Sequence, residues 1–130
     1  MNLKKLSRGL LYFTFFYNLF GTISFAFPAA FNNASGLPFP PHAVYAAFGA
    51  GNIFIWSFVY LFLARQREFN RPLLLVGTIG KFNLFVALVF GWYAKEVGGS
   101  TLALGLVDVA MGVVWISYLL NSKNQKKEMI

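Results

Sequence analysis

Apolar residues in this chain are gathered into four runs, 9–27, 43–64, 72–94 and 101–120. Each is close to the roughly 20 residues that a helix needs to cross hydrocarbon at about 1.5 Å per residue. The joints between them carry helix breakers. Pro28, Pro38, Pro40 and Pro41 stand between the first two runs, Arg71-Pro72 opens the third, and Gly98-Gly99-Ser100 precedes the fourth. No joint is long enough for a soluble domain. The pattern predicts one all-α domain over residues 1–130, an integral membrane four-helix bundle. A cleaved signal peptide is the alternative for residues 1–30, because Lys4, Lys5 and Arg8 precede an apolar run. That run exceeds the usual signal core of about 7–15 residues. It is also interrupted by Asn18 and Thr22, which favours a retained span.

Charge then orients the bundle. Lys and Arg in short loops resist translocation. Lys4, Lys5 and Arg8 precede span one, Arg65, Arg67 and Arg71 surround the loop between spans two and three, and Lys123, Lys126 and Lys127 follow span four. Nine of the eleven basic residues therefore lie at one end. Both termini are expected to be cytoplasmic, with the Pro/Asn-rich segment up to His42 and the turn at Lys95-Glu96 on the other side. A formal net charge of +7 raises the question of nucleic acid, but the basic residues stand at span ends rather than in one patch, and no nucleic-acid partner is expected. The partner that composition demands is the lipid bilayer, since 58% of residues are hydrophobic and 12% charged, against about 25% charged in soluble domains.

With no Cys, the chain offers no disulfide, thiolate zinc site, iron–sulfur ligand or thiol nucleophile. His42, the one histidine, sits at the outer edge of span two and reads as an interfacial residue rather than a metal ligand. Ser57, Thr78 and Ser117 have no base within their spans, so nucleophilic hydrolysis is not expected. Trp56, Trp92, Trp115 and the Tyr residues read as interface anchors or lipid-facing bulk. The sequon Asn33-Ala34-Ser35 carries meaning only in a glycosylating pathway. No metal and no cofactor is expected.

The informative residues are ionisable groups inside the spans, because a charge at the bilayer centre costs about 2.5–3.5 kcal/mol on insertion scales. Lys81 lies ten residues past Arg71, roughly 15 Å along the axis. Asp108 lies fifteen residues before Lys123, about 22 Å along the axis. A lysine stem spans the difference, so a Lys81–Asp108 ion pair is expected. Asn18 in span one and Asn52 in span two fall in the same slab, completing an intramembrane polar cluster of Asn18, Asn52, Lys81 and Asp108. Thr14, Asn18, Gly21 and Thr22 share one helical face; so do Gly49, Asn52 and Trp56, and Gly105, Asp108 and Gly112. Gly49, Gly77, Gly105 and Gly112 are the expected helix-packing positions, allowing close backbone approach. Asn83 is about 200° around the helix from Lys81 and is expected to lie off the cluster. Such a cluster serves either as packing glue or as an ion or substrate path.

Val76-Gly77-Thr78-Ile79-Gly80-Lys81 and Val107-Asp108-Val109-Ala110-Met111-Gly112 resemble a pattern in small bacterial four-span proteins, and over residues 45–120 the chain is similar to the DoxX-like group. The resemblance implies an inner-membrane (plasma membrane) accessory role beside quinol-oxidising complexes, with an apolar ligand such as a quinone. The first functional expectation is a non-enzymatic accessory or assembly subunit that binds a membrane protein partner or its own copy. The alternative is a small-solute or ion/proton transporter working through Lys81–Asp108. A lipid-directed enzyme ranks last, having only those two groups to act as acid and base.

Overall fold

A computed structural model of the protein describes residues 2–27 and 42–128, with side chains as far as residue 122. The sequon at Asn33 and most of the Pro/Asn-rich segment lie outside the described residues, as do the side chains of Lys123, Lys126 and Lys127. The described chain forms four helices: α1 (Leu3–Ala26), α2 (Ala43–Arg65), α3 (Arg71–Tyr93) and α4 (Gly99–Glu128). Each is long and apolar enough to cross a membrane, taking Gly99–Ser122 of α4.

Local chemistry sets the helix ends. α1 begins six residues ahead of the apolar run because Asn2 caps it, its side chain accepting from the Lys4 and Lys5 amides. Asn70 caps α3 in the same way by accepting from Leu73 N–H, with Pro72 in the first turn, where no amide is required. At its other end α3 closes through Lys95, which adopts φ 62°. Lys95 N–H donates to Trp92 O and Glu96 N–H to Gly91 O, the paired bonds of a Schellman cap. The opposite end of α4 runs past its apolar run as a polar helical extension to Glu128.

Packing is uneven. α1 lies along α2, and α3 along α4, over most of their lengths; α1 also touches α4, whereas α2 and α3 barely meet. The fold is therefore two helical hairpins joined chiefly at the α1–α4 seam. The close-packed core, Leu11, Tyr60, Leu63, Ala64, Leu74, Met111, Trp115 and Leu119, is confined to the end of the bundle that carries both termini. Trp115 corrects the expectation of an interface anchor. It is fully buried, its ring stacks on Tyr60 at 5.4 Å, and its Nε1–H points toward Ser7 O at 3.4 Å. Met111, Trp115 and Leu119 repeat every four residues, so all three share the inward stripe.

The glycines also behave differently from the close backbone approach expected of them. An added Cβ at Gly49 would meet the Phe25 ring at 3.0 Å, at Gly77 the Tyr60 ring at 2.9 Å, and at Gly112 the Phe82 ring at 2.8 Å. At Gly105 it would meet Leu88 at 2.7 Å and Phe85 at 3.1 Å. All four do lie at helix contacts, but as sockets for large side chains.

The terminal end is tied by cations. Arg8 donates to Gln66 O at 2.8 Å and Arg67 O at 3.1 Å while its guanidinium lies over Phe69. Arg71 donates to Leu119 O at 2.7 Å and to Ser122 Oγ, clipping α3 to α4. The Lys4 ammonium bonds the Glu68 carboxylate and holds that carboxyl below its ordinary value. This pair is solvent-exposed and contributes little to stability. Elsewhere the outer surface is apolar, with Phe16, Phe48, Phe90 and Tyr93 among its most exposed side chains. A surface of that kind matches lipid and would aggregate in water.

Candidate functional site

Lys81 and Asp108 sit near the middles of α3 and α4, where the packed core gives way. Lys81 Nζ lies 2.6 Å from Asp108 Oδ1 and donates to Asn18 Oδ1 at 3.1 Å. Both charged residues are almost wholly enclosed, at 4% and 1% relative exposure. The rings of Tyr17 and Tyr60 flank the ammonium, each centroid 5.5 Å from Nζ. Carboxylate, amide oxygen and two π-faces thus replace the water that a lysine ammonium would otherwise keep. Tyr60 is held in turn by its hydroxyl, which donates to Gly77 O at 3.0 Å. α1, α3 and α4 therefore supply the polar triad, and α1 and α2 supply the aromatic walls.

Toward the end of the bundle away from the termini, these residues border a cavity of about 420 Å³. Asn18, Lys81 and Asp108 contribute its polar wall, while Phe25, Ile53, Trp56, Leu84 and Leu88 contribute much of the apolar wall. All four helices take part. The cavity reaches the outside between helices, since Asn52, Gly80, Asn83 and Leu84 on its margin are exposed.

Of the four expected cluster members, Asn18, Lys81 and Asp108 are bonded together. Asn52 lines the same cavity but donates to Phe48 O of its own helix at 2.8 Å. Asn83 was expected to lie off the cluster; it bonds to none of its members but lines the same cavity, whose wall extends beyond the stripe that Lys81 occupies. Tyr17 and Tyr60 were not singled out from the sequence. Tyr60 extends the Asn52–Trp56 stripe by another four residues, a legible signal. Tyr17 stands three residues after Thr14 and four before Gly21, on the face these share with Asn18, so its signal was legible as well.

The remaining candidates are accounted for locally. Ser57, Thr78 and Ser117 each donate to the carbonyl four residues earlier, at 2.8 Å. His42 precedes the first residue of α2, its ring 5.9 Å from Tyr45. Among the described residues no three His, Cys, Asp or Glu side chains gather as metal ligands would.

What fold and site define is a four-helix bundle with an apolar exterior and an enclosed ion pair in the wall of a cavity. Comparison with protein-family models, with curated proteins and with solved structures returns no match.

Proposed function

We propose that this chain is a non-enzymatic four-span protein of the inner (plasma) membrane, both termini cytoplasmic. Its cavity holds a small ligand against Asn18, Lys81 and Asp108, in an accessory role to a larger membrane complex. One observation carries the reading. A pair that served only to lock helices would be surrounded by close-packed side chains, whereas this one forms part of the wall of a 420 Å³ space. That volume falls within the roughly 300–1,000 Å³ of small-molecule sites, which combine an apolar lining with a few placed polar groups. The kinship with the DoxX-like group belongs to the same proposal. The apolar lining accommodates the quinone that the kinship implies, and other amphiphiles equally.

The test fills the space. Gly21 lines the cavity, and a Cβ there makes an ordinary 3.6 Å contact with Ile53. Protein purified in mild detergent is expected to carry a small molecule in near-stoichiometric amount by mass spectrometry, and Gly21→Leu to lose it with stability changed by less than about 1 kcal/mol. Equal loading of both proteins would sink the reading.

The orientation is checked separately, and cleanly, because the chain has no Cys. His42→Cys is expected to react with an impermeant maleimide on intact cells, and Arg67→Cys only after permeabilisation. The reverse pattern would invert the topology.

A specific observation favours transport as the second reading. The ion pair lies between a cavity on one side and the packed core of Leu11, Leu74, Met111 and Trp115 on the other. One-sided access to a midway site is the arrangement of an alternating-access carrier. Proteoliposomes that show proton or solute flux in the native protein and none in Asp108→Asn would establish it over the accessory role.

A further inference from the structure

The ligand-binding reading leaves open what enters the cavity and by which route, and four observations bear on both. First, α2 and α3 barely meet. Beside the cavity they are tied by the Tyr60 hydroxyl bond to Gly77 O, whereas Tyr17 Oη reaches toward Leu104 O at 3.4 Å across the α1–α4 seam. Second, the margin of the cavity on the α2–α3 side carries two exposed asparagines, Asn52 and Asn83, midway along apolar helices. Among the described residues the Asn83 side chain has no hydrogen-bond partner, and an amide facing hydrocarbon without one is costly. Third, the polar wall is neutral as a whole, Lys81 being matched by Asp108. Fourth, a volume of about 420 Å³ admits a head and the start of one chain but not a two-chain lipid.

We propose that an uncharged single-chain amphiphile enters from the bilayer between α2 and α3. Its hydroxyl or amide head bonds Asn83 and the Lys81–Asp108 wall, and its tail leaves through the same seam. An anionic head would compete with Asp108 for Lys81, and a cationic head with Lys81 for Asp108. Either would leave one charge of the pair unmatched in a poorly polarisable interior. A neutral head disturbs neither, and an amide offers it both a donor and an acceptor. The tail then occupies the gap that α2 and α3 leave between them, so no chain end has to be buried in the core.

This inference rests on the ligand-binding reading, and the experiment separates the two. Diazirine-bearing hexadecanol, hexadecanoic acid and hexadecylamine, identical but for the head, are presented in turn to the full chain in nanodiscs, and photolabelled peptides are mapped. The alcohol is expected to label residues 52–56 and 80–84 well above the lipid-facing background at Phe48 and Phe90. Asn83→Leu is expected to reduce that labelling roughly tenfold, the scale of one lost hydrogen bond. Its melting temperature should hold, because Asn83 is exposed and unpartnered. Equal or stronger labelling by the acid or the amine overturns the head assignment. Labelling concentrated at Phe20 and Leu104 overturns the route. Either result leaves a ligand site standing. No labelling above background by any probe, together with purified protein that carries no small molecule, removes the ligand-binding reading itself.

Discussion

In detergent, Lys81→Met and Asp108→Asn are each expected to lower the unfolding free energy by about 3–5 kcal/mol, the range for removing one partner of a buried pair. Lys81 and Asp108 are 4% and 1% exposed, so whichever charge survives is left poorly solvated at the edge of the cavity. Removing Lys81 leaves the Asp108 carboxylate without its ammonium and releases Asn18 Oδ1 as well. Removing the carboxylate charge leaves an ammonium facing Asn18 and the faces of Tyr17 and Tyr60, which solvate it only partly. The double variant carries neither charge and is expected to recover most of the loss. The recovery gives the coupling of the pair directly, provided that the single changes introduce no new contacts. Thermal unfolding of the four proteins in one detergent measures it. Additive losses would mean that the two charges do not depend on each other. Recovered stability combined with lost ligand retention or flux would separate the pair's structural role from its functional one.

The second large effect is expected at the glycine sockets. Gly77→Val and Gly112→Val should each cost about 1–3 kcal/mol, the range for overpacking a closed site. At Gly77 the obstacle is the Tyr60 ring, 2.9 Å from an added Cβ. That ring is held by its hydroxyl bond to Gly77 O and by stacking on Trp115. Displacing it also removes one aromatic face from Lys81, so this substitution reaches the site. At Gly112 three atoms of the Phe82 ring lie within 3.2 Å of the added Cβ, so the ring must turn aside or α3 move away from α4. Gly9 and Gly51 provide the contrast, since an added Cβ at either meets nothing within 4 Å. Gly9→Ala and Gly51→Ala are expected to be neutral or to gain up to about 1 kcal/mol from helix propensity. Uniform losses at all four glycines would show that backbone conformation matters there, and not the sockets.

Much of the site was legible because charge in an apolar run is conspicuous. Lys81 and Asp108 are the ionisable residues within the four runs, and a count of residues from the flanking Arg71 and Lys123 placed them at compatible depths. Asn18 fell in the same slab by the same count. Asn52 was placed at the right depth, but depth says nothing of bonding, and its amide turns back to Phe48 O. Asn83 was set aside by helical angle from Lys81. Angle ranks the faces of one helix, whereas membership of a cavity depends on how far the neighbouring helix stands away.

The sequence by itself determined the number of helices, their extents to within a few residues at most ends, and which residues lie halfway along them. Those properties answer to local demands: hydrocarbon requires each backbone amide to be bonded within its own helix, over a length set by bilayer thickness. Beyond the α3–α4 contact that Lys81 and Asp108 implied, which helices would touch was decided only in the tertiary structure, because the apolar faces are alike and contact depends on shape and hydrogen bonds. Periodicity could not show that Trp115 turns inward onto Tyr60, that glycines receive large side chains rather than backbones, or that α2 and α3 stand apart and barely meet. The cavity follows from that parting. It is made of space between side chains from four separated stretches, and no single stretch encodes it.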